Sequence, residues 1–125
     1  MNYRISLITP SFNQGEYLEQ TIDSVLSQNY PNVEYIIMDG GSTDNSVQII
    51  KKHEKHLKYW VSEPDKGQSD AINKGLKLVT GDVFNWLCSD DYLENGALKL
   101  IGERFNEGGI DFISGNIQVI EDVQN

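Results

Sequence analysis

Short apolar runs alternate along this chain with longer segments of helical spacing. "RISLIT" (4–9), "VEYIIM" (33–38), "YWV" (59–61), "VFNWL" (83–87) and "DFIS" (111–114) read as strands. Between them, Leu18, Ile22, Val25 and Leu26 fall on one side of a helix, as do Ile72, Gly75, Leu76 and Val79, and again Leu98, Ile101 and Phe105. A weaker stripe, Val47 and Ile50, follows "GGSTDNS", in which Ser42, Thr43 and Asp44 are candidate helix caps. The order β-α-β-α-β-α-β-α-β predicts an α/β fold, a mostly parallel sheet with helices on both faces. No repeat, low-complexity tract or linker interrupts the 125 residues, a common size for one domain.

Ligands of such sheets bind beyond the carboxyl ends of the strands, so the residues that follow each strand carry the chemistry. Those stretches are "PSFNQGEY", "DGGSTDNS", "SEPDKGQSD" and "CSDDYLENG". Three of the four hold an acid near the strand exit: Asp39, Asp65 and the pair Asp90–Asp91. The pair is the most informative. "VFNWL" reads as a buried strand, yet it runs into two adjacent carboxylates that repel each other and are costly to bury. Two readings compete. The pair caps a helix expected to begin near Glu94, or it holds a cation. Hard oxygen donors suit Mg²⁺ or Mn²⁺, which bridge to phosphates. At an effective dielectric of ~20, opposite unit charges ~4 Å apart attract by roughly 4 kcal/mol, enough to turn a repulsive pair into a diphosphate site.

The other candidates have plainer alternatives. Asp39 before two glycines is ordinary turn chemistry, or else a carboxylate that accepts hydrogen bonds from a ribose or base. Pro10, Ser11, Phe12 and Asn13 read as a breaker and cap, or as a pocket wall with Phe12 against a flat ring. Gly75 inside a helical pattern implies close packing or ligand approach, since it costs about 1 kcal/mol relative to Ala. "KKHEKHLK" (51–58) reads as a solvated helix end, with an anionic membrane surface as the lesser alternative. His53 and His56 have no third ligand nearby in sequence, which argues against zinc. Cys88, the single cysteine, reads as a small buried residue and excludes an internal disulfide. A net charge of −9 excludes a nucleic-acid binder. Neither a phosphate-loop pattern nor G-x-G-x-x-G occurs. With no leader pattern and no membrane-length apolar run, the expectation is a soluble cytoplasmic chain.

Taken together, the strings resemble the N-terminal half of family 2 glycosyltransferases, enzymes of the Rossmann-like GT-A fold. "ISLITPSFNQGEYLEQTIDSVLSQNYPNVEYIIMDGGSTDNS" looks like the family's opening, and "SEPDKGQSDAINKGLKLVTGDVFNWLCSDDYLENGAL" like the approach to its DXD-type metal motif. The resemblance implies roles. Pro10 and Phe12 would line the base pocket, with Asn13 and Glu16 nearby. Asp39 would bind the base or ribose of a nucleoside diphosphate of UDP, GDP or dTDP type. Gln68, Asp70 and Asn73 would approach the nucleotide and donor sugar. Asp90 would be the principal ligand of Mn²⁺ or Mg²⁺, with Asp91 beside it at the sugar. The reaction implied is inverting transfer of the sugar to an acceptor hydroxyl, on a sugar or lipid-linked acceptor of polysaccharide assembly, at the inner face of the membrane.

This sequence departs from the family pattern at three points. Cys88 stands where many members have an acid, and Gly40 where many have a second aspartate. The catalytic base and acceptor-binding elements are expected beyond Asn125, so the chain (1–125) reads as the donor half, with a tendency to self-associate. The alternative is a nucleotide-sugar-binding module without turnover of its own. A receiver-like signalling domain is set aside, because "TPSFN" and "SGN" stand where it needs an acidic pair and a lysine.

Overall fold

The computed structural model describes residues 3–109. Its elements are β1 (Ile5–Ser11), α1 (Gly15–Leu26), β2 (Val33–Asp39), α2 (Ser46–Lys52), a 3₁₀ turn (Glu54–His56), β3 (Tyr59–Ser62), α3 (Gln68–Leu76), β4 (Val83–Trp86) and α4 (Ala97–Asn106). The strands form one parallel sheet in the order β3-β2-β1-β4. The expected strand over 111–114 lies outside the described residues.

Alternation along the two central strands sorts the core into two layers. Ile5 and Leu7 of β1 and Tyr35 and Ile37 of β2 face α1, α2 and α4, meeting Leu18, Ile22, Val25, Ile50 and Leu98. Ile8, Ile36 and Met38 point the other way and meet Ala71 of α3. Helices therefore cover both faces, as the βαβ pattern requires. Both central strands are buried almost throughout, which explains why they read as continuous apolar runs. Gly75 is a packing glycine: a Cβ there would lie 2.7 Å from Ile8 Cδ1, so α3 rests directly on β1.

Polar groups fix the end of the sheet opposite the strand exits. Glu34 of β2 is buried and accepts hydrogen bonds from Ser6 Oγ (3.0 Å), Thr80 N (2.8 Å) and Thr80 Oγ1 (2.6 Å). Burial pushes its carboxyl up, but the Thr80 and Ser6 hydrogen bonds outweigh that and hold it below the ordinary range. The α3–β4 loop is pinned there.

Three expectations are corrected. β4 is not a buried strand: Val83 and Phe84 are half-buried, while Asn85 and Trp86 are exposed. Among the described residues it is an edge strand, paired with β1 alone, and so has covering on fewer sides than β1 or β2. The α3 stripe is rotated, since Ala71 and Gly75 are its buried positions and Leu76 is exposed. Finally, α4 starts at Ala97 rather than near Glu94, after Gly96 in the left-handed region (φ 79°).

Candidate active site

A cavity of about 570 Å³ opens at the carboxyl ends of the strands. Pro10 and Phe12 follow β1, Gly40 follows β2, Asp65, Gly67 and Gln68 lie between β3 and the first turn of α3, and Cys88 and Asp90 follow β4. The Phe12 ring is 58% exposed, an apolar surface that no described side chain covers fully. Gln68 Nε2 donates to Cys88 Sγ at 3.1 Å and so links the α3 side of the cavity to the β4 side. Of the residues expected to bind the nucleotide sugar or the metal, Pro10, Phe12, Gln68 and Asp90 line this space, and Ser11, Gly40, Asp65 and Cys88 join them.

Neither aspartate of the pair caps a helix. The N-cap of α4 is Gly96, and no side-chain hydrogen bond closes it. Asp90 is exposed to the cavity, and neither carboxylate pairs with a described lysine or arginine. Desolvation by the surrounding loop, and then the neighbouring Asp90 charge, push the carboxyl of the exposed Asp91 up. Burial also raises the Cys88 thiol, helped by Asp91 and Asp90.

The loop that carries the pair is held from α1. Thr21 Oγ1 lies within hydrogen-bond distance of the carbonyls of Ser89 (3.0 Å) and Asp91 (2.5 Å), which share its single proton. Leu93 N donates to Ser24 Oγ (3.0 Å). Gln28 donates to the Glu94 carbonyl (2.8 Å) and accepts from Leu98 N (3.2 Å). Thr21 and Ser24 lie one turn apart on α1, and Gln28 follows just past its C-cap Ser27, so the end of α1 and the turn after it serve as the mount. Sequence reasoning missed these residues; the signal was their polar spacing.

The β2–α2 loop behaves differently. Asp39 is 1% exposed, and its carboxylate accepts from Gly41 N (3.1 Å), Ser42 N (2.8 Å), Ser42 Oγ (2.6 Å) and Ser62 Oγ (2.7 Å). It does not line the cavity. Of its two sequence readings, the turn is the one with contacts. Asp44 lies between two helix starts, accepting from Ser46 N (2.9 Å) and Ser46 Oγ (2.6 Å) of α2 and from Gly15 N (2.9 Å) of α1. The Ser46 hydroxyl is the chief reason its carboxyl sits below the ordinary range. Asn13, at φ 51°, latches the first loop to the second: its N–H donates to Ser42 Oγ (2.8 Å) and its Oδ1 accepts from Thr43 N (2.8 Å).

The remaining expected residues stand off the cavity. Glu16 faces a separate acidic groove along α1, with Glu19 and Asp23. Asp70 accepts from Lys66 N (2.9 Å) and pairs with Lys74 (3.5 Å), which together lower its carboxyl. Asn73 is exposed on α3. His53, for which no third ligand stands nearby in sequence, meets Glu19 (2.6 Å) and Asp23 (3.9 Å) of α1 through tertiary packing. Lys52 already pairs with Glu19 there (2.5 Å), so the cluster is an ion-pair seam between α1 and α2.

The comparisons with known proteins agree with this architecture. The family described as Glycosyl transferase family 2 matches residues 6–125. The chain belongs to glycosyltransferase family 2. An uncharacterized glycosyltransferase of Haemophilus influenzae is 40% identical over 98 residues, covering 76% of this chain and 39% of that protein. A Campylobacter jejuni protein named GalNAc(5)-diNAcBac-PP-undecaprenol beta-1,3-glucosyltransferase is 33% identical, covering 84% of this chain and 35% of that one. The solved structure of Staphylococcus aureus TarS (residues 1–349) in complex with UDP-GlcNAc superposes with a TM-score of 0.76 at 26% identity, covering 83% of this chain and 31% of that chain. The chain thus spans between three and four tenths of the length of these relatives. As a family 2 chain it has the α/β GT-A architecture of a parallel sheet with its cavity at the strand exits.

Proposed function

We propose that this chain is the donor-binding part of a metal-dependent, inverting glycosyltransferase that moves a sugar from a nucleoside diphosphate to an acceptor hydroxyl. The observation that carries the reading is Asp90: a carboxylate exposed to the cavity, neither paired with a described cation nor used as a cap. Two adjacent sets of hard oxygen donors with no counter-charge from the protein suit Mn²⁺ or Mg²⁺. Asp90 would hold the ion, with Asp91 beside it. The bound ion would supply electrostatic stabilisation of the departing diphosphate.

The chain's own residues do the rest. Phe12 and Pro10 offer an apolar wall for the nucleoside. Gln68, at the first position of α3, is placed at a helix N-terminus where partial positive charge favours phosphate oxygens. Thr21, Ser24 and Gln28 hold the Asp90 loop in one conformation, so that its carboxylates need not reorganise when the donor arrives. The family match and the UDP-GlcNAc complex of TarS support the nucleotide-sugar assignment. The C. jejuni relative's name supports a lipid-linked sugar as one class of acceptor. Calorimetric titration of the full-length protein with UDP, GDP and dTDP, with and without Mn²⁺, tests the reading. One nucleotide that binds only with the metal is the expected result; no binding under any condition would sink it.

A further inference from the structure

We infer that Asp65 is the carboxylate that reads the nucleotide base in this chain, from the space that a side chain at position 40 would otherwise occupy. A Cβ built on Gly40 would lie 2.9 Å from Asp65 Oδ2 and 3.0 Å from Oδ1. Gly40 is absent from the positive-φ residues, so the backbone does not demand a glycine there; what a side chain at 40 would do is push the Asp65 carboxylate out of its present place. Both residues line the cavity. The acid nearest in sequence, Asp39, is buried in its own turn with four hydrogen bonds and does not reach the cavity. Asp65 Oδ1 accepts from Gly67 N (2.9 Å), which fixes the carboxylate, while Oδ2 has no hydrogen bond to a described residue.

The sheet order separates the two acids of the cavity. Asp65 and Gly40 belong to the β2–β3 side and Asp90 to the β4 side, with β1 between them. A diphosphate repelled by Asp65 and drawn to a cation at Asp90 leaves the nucleoside at the Asp65 end. There, an acceptor-only carboxylate favours a base that presents a ring N–H, as uracil, thymine and guanine do. Cytosine and adenine present a ring nitrogen acceptor there, with a donor only on the exocyclic amino group, and fit less well.

This inference rests on the donor-site reading above, and one set of titrations separates the two. The full-length protein and its Asp65→Asn and Gly40→Ala variants are titrated with UDP, dTDP, GDP, CDP and ADP in Mn²⁺, with thermal melts as a folding check. Asn keeps the acceptor for Gly67 N–H, so the turn survives. The wild type is expected to prefer a ring N–H base, and Asp65→Asn to weaken that nucleotide about 10- to 100-fold and narrow the gap to CDP. Gly40→Ala, which displaces Asp65 without changing its charge, weakens it in the same direction. If the wild type binds a nucleotide and Asp65→Asn keeps both affinity and preference, Asp65 is only a turn residue. Equal weakening of all five nucleotides would assign it to the ribose and overturn base reading. A wild type that binds none of them removes the donor site itself, and this inference with it.

Discussion

Two loops at the same sheet edge treat the same side chain in opposite ways. Where β2 ends and its loop begins, Asp39 and Asp44 accept four and three hydrogen bonds respectively, and Asp39 is sealed from solvent. In the β4–α4 loop, the backbone is held by α1 while the Asp90 carboxylate stands free toward the cavity. The first loop uses its acids to build a turn and start two helices. The second uses other residues for building and leaves its acids over. A carboxylate without a structural task, on a loop held in place by something else, is available to hold a cation.

Removing the acid from each loop gives the sharpest contrast. Asp39→Ala would leave buried donors from Gly41, Ser42 and Ser62 without an acceptor, and is expected to cost about 3 kcal/mol of stability by chemical denaturation. A variant that melts normally but no longer binds nucleotide would erase the distinction between the loops. Asp90→Asn is the mirror case. Its stability should stay within about 0.5 kcal/mol of wild type, while metal-dependent nucleotide affinity falls about 100-fold or more, roughly 2.7 kcal/mol. Unchanged affinity in calorimetry would make the pair a surface feature.

The mount can be loosened without touching either acid. Thr21→Val keeps the shape but leaves the Ser89 and Asp91 carbonyls without their donor. The expected result is a stability loss of about 1 kcal/mol and a drop of about tenfold in metal-dependent affinity, with Thr21→Ser restoring both. Equal stability loss without any change in affinity would mean that α1 holds the loop but does not aim it.

Much of this contrast was invisible along the chain, for a physical reason. The central sheet was legible because β1 and β2 are buried on both faces and therefore spell unbroken apolar runs. The cavity was legible as a place, since a parallel sheet fixes where its loops converge. Which acid is engaged was not, because the deciding partners are remote. Ser62 is 23 residues from Asp39, and the acceptors of Thr21 are 68 and 70 residues away. "SDDYLENG" misplaced the start of α4 because its acids carry cap chemistry, whereas the left-handed Gly96 sets the true boundary. The role of Gly40 hinges on Asp65, 25 residues on, and only their approach reveals it.

A third acid tests the rule at the far end of the sheet, with the smallest expected effect. Glu34 is buried and engaged by Ser6 and Thr80, like Asp39 and unlike Asp90. Its carboxyl is held below its ordinary value of 4.5 by those hydrogen bonds, against the upward push of burial. In the unfolded chain it takes up a proton at the ordinary value, so between that value and its lower folded one the unfolded state binds more protons. Its contribution to stability is therefore complete above pH 4.5 and declines as the pH falls toward and through the folded value. Glu34→Gln should flatten that part of the acid limb in denaturation curves, since an amide can still accept from Thr80 N and donate to Thr80 Oγ1 without titrating. An acid limb as steep in Glu34→Gln as in the wild type would mean that those hydrogen bonds do not tie this carboxylate to the fold.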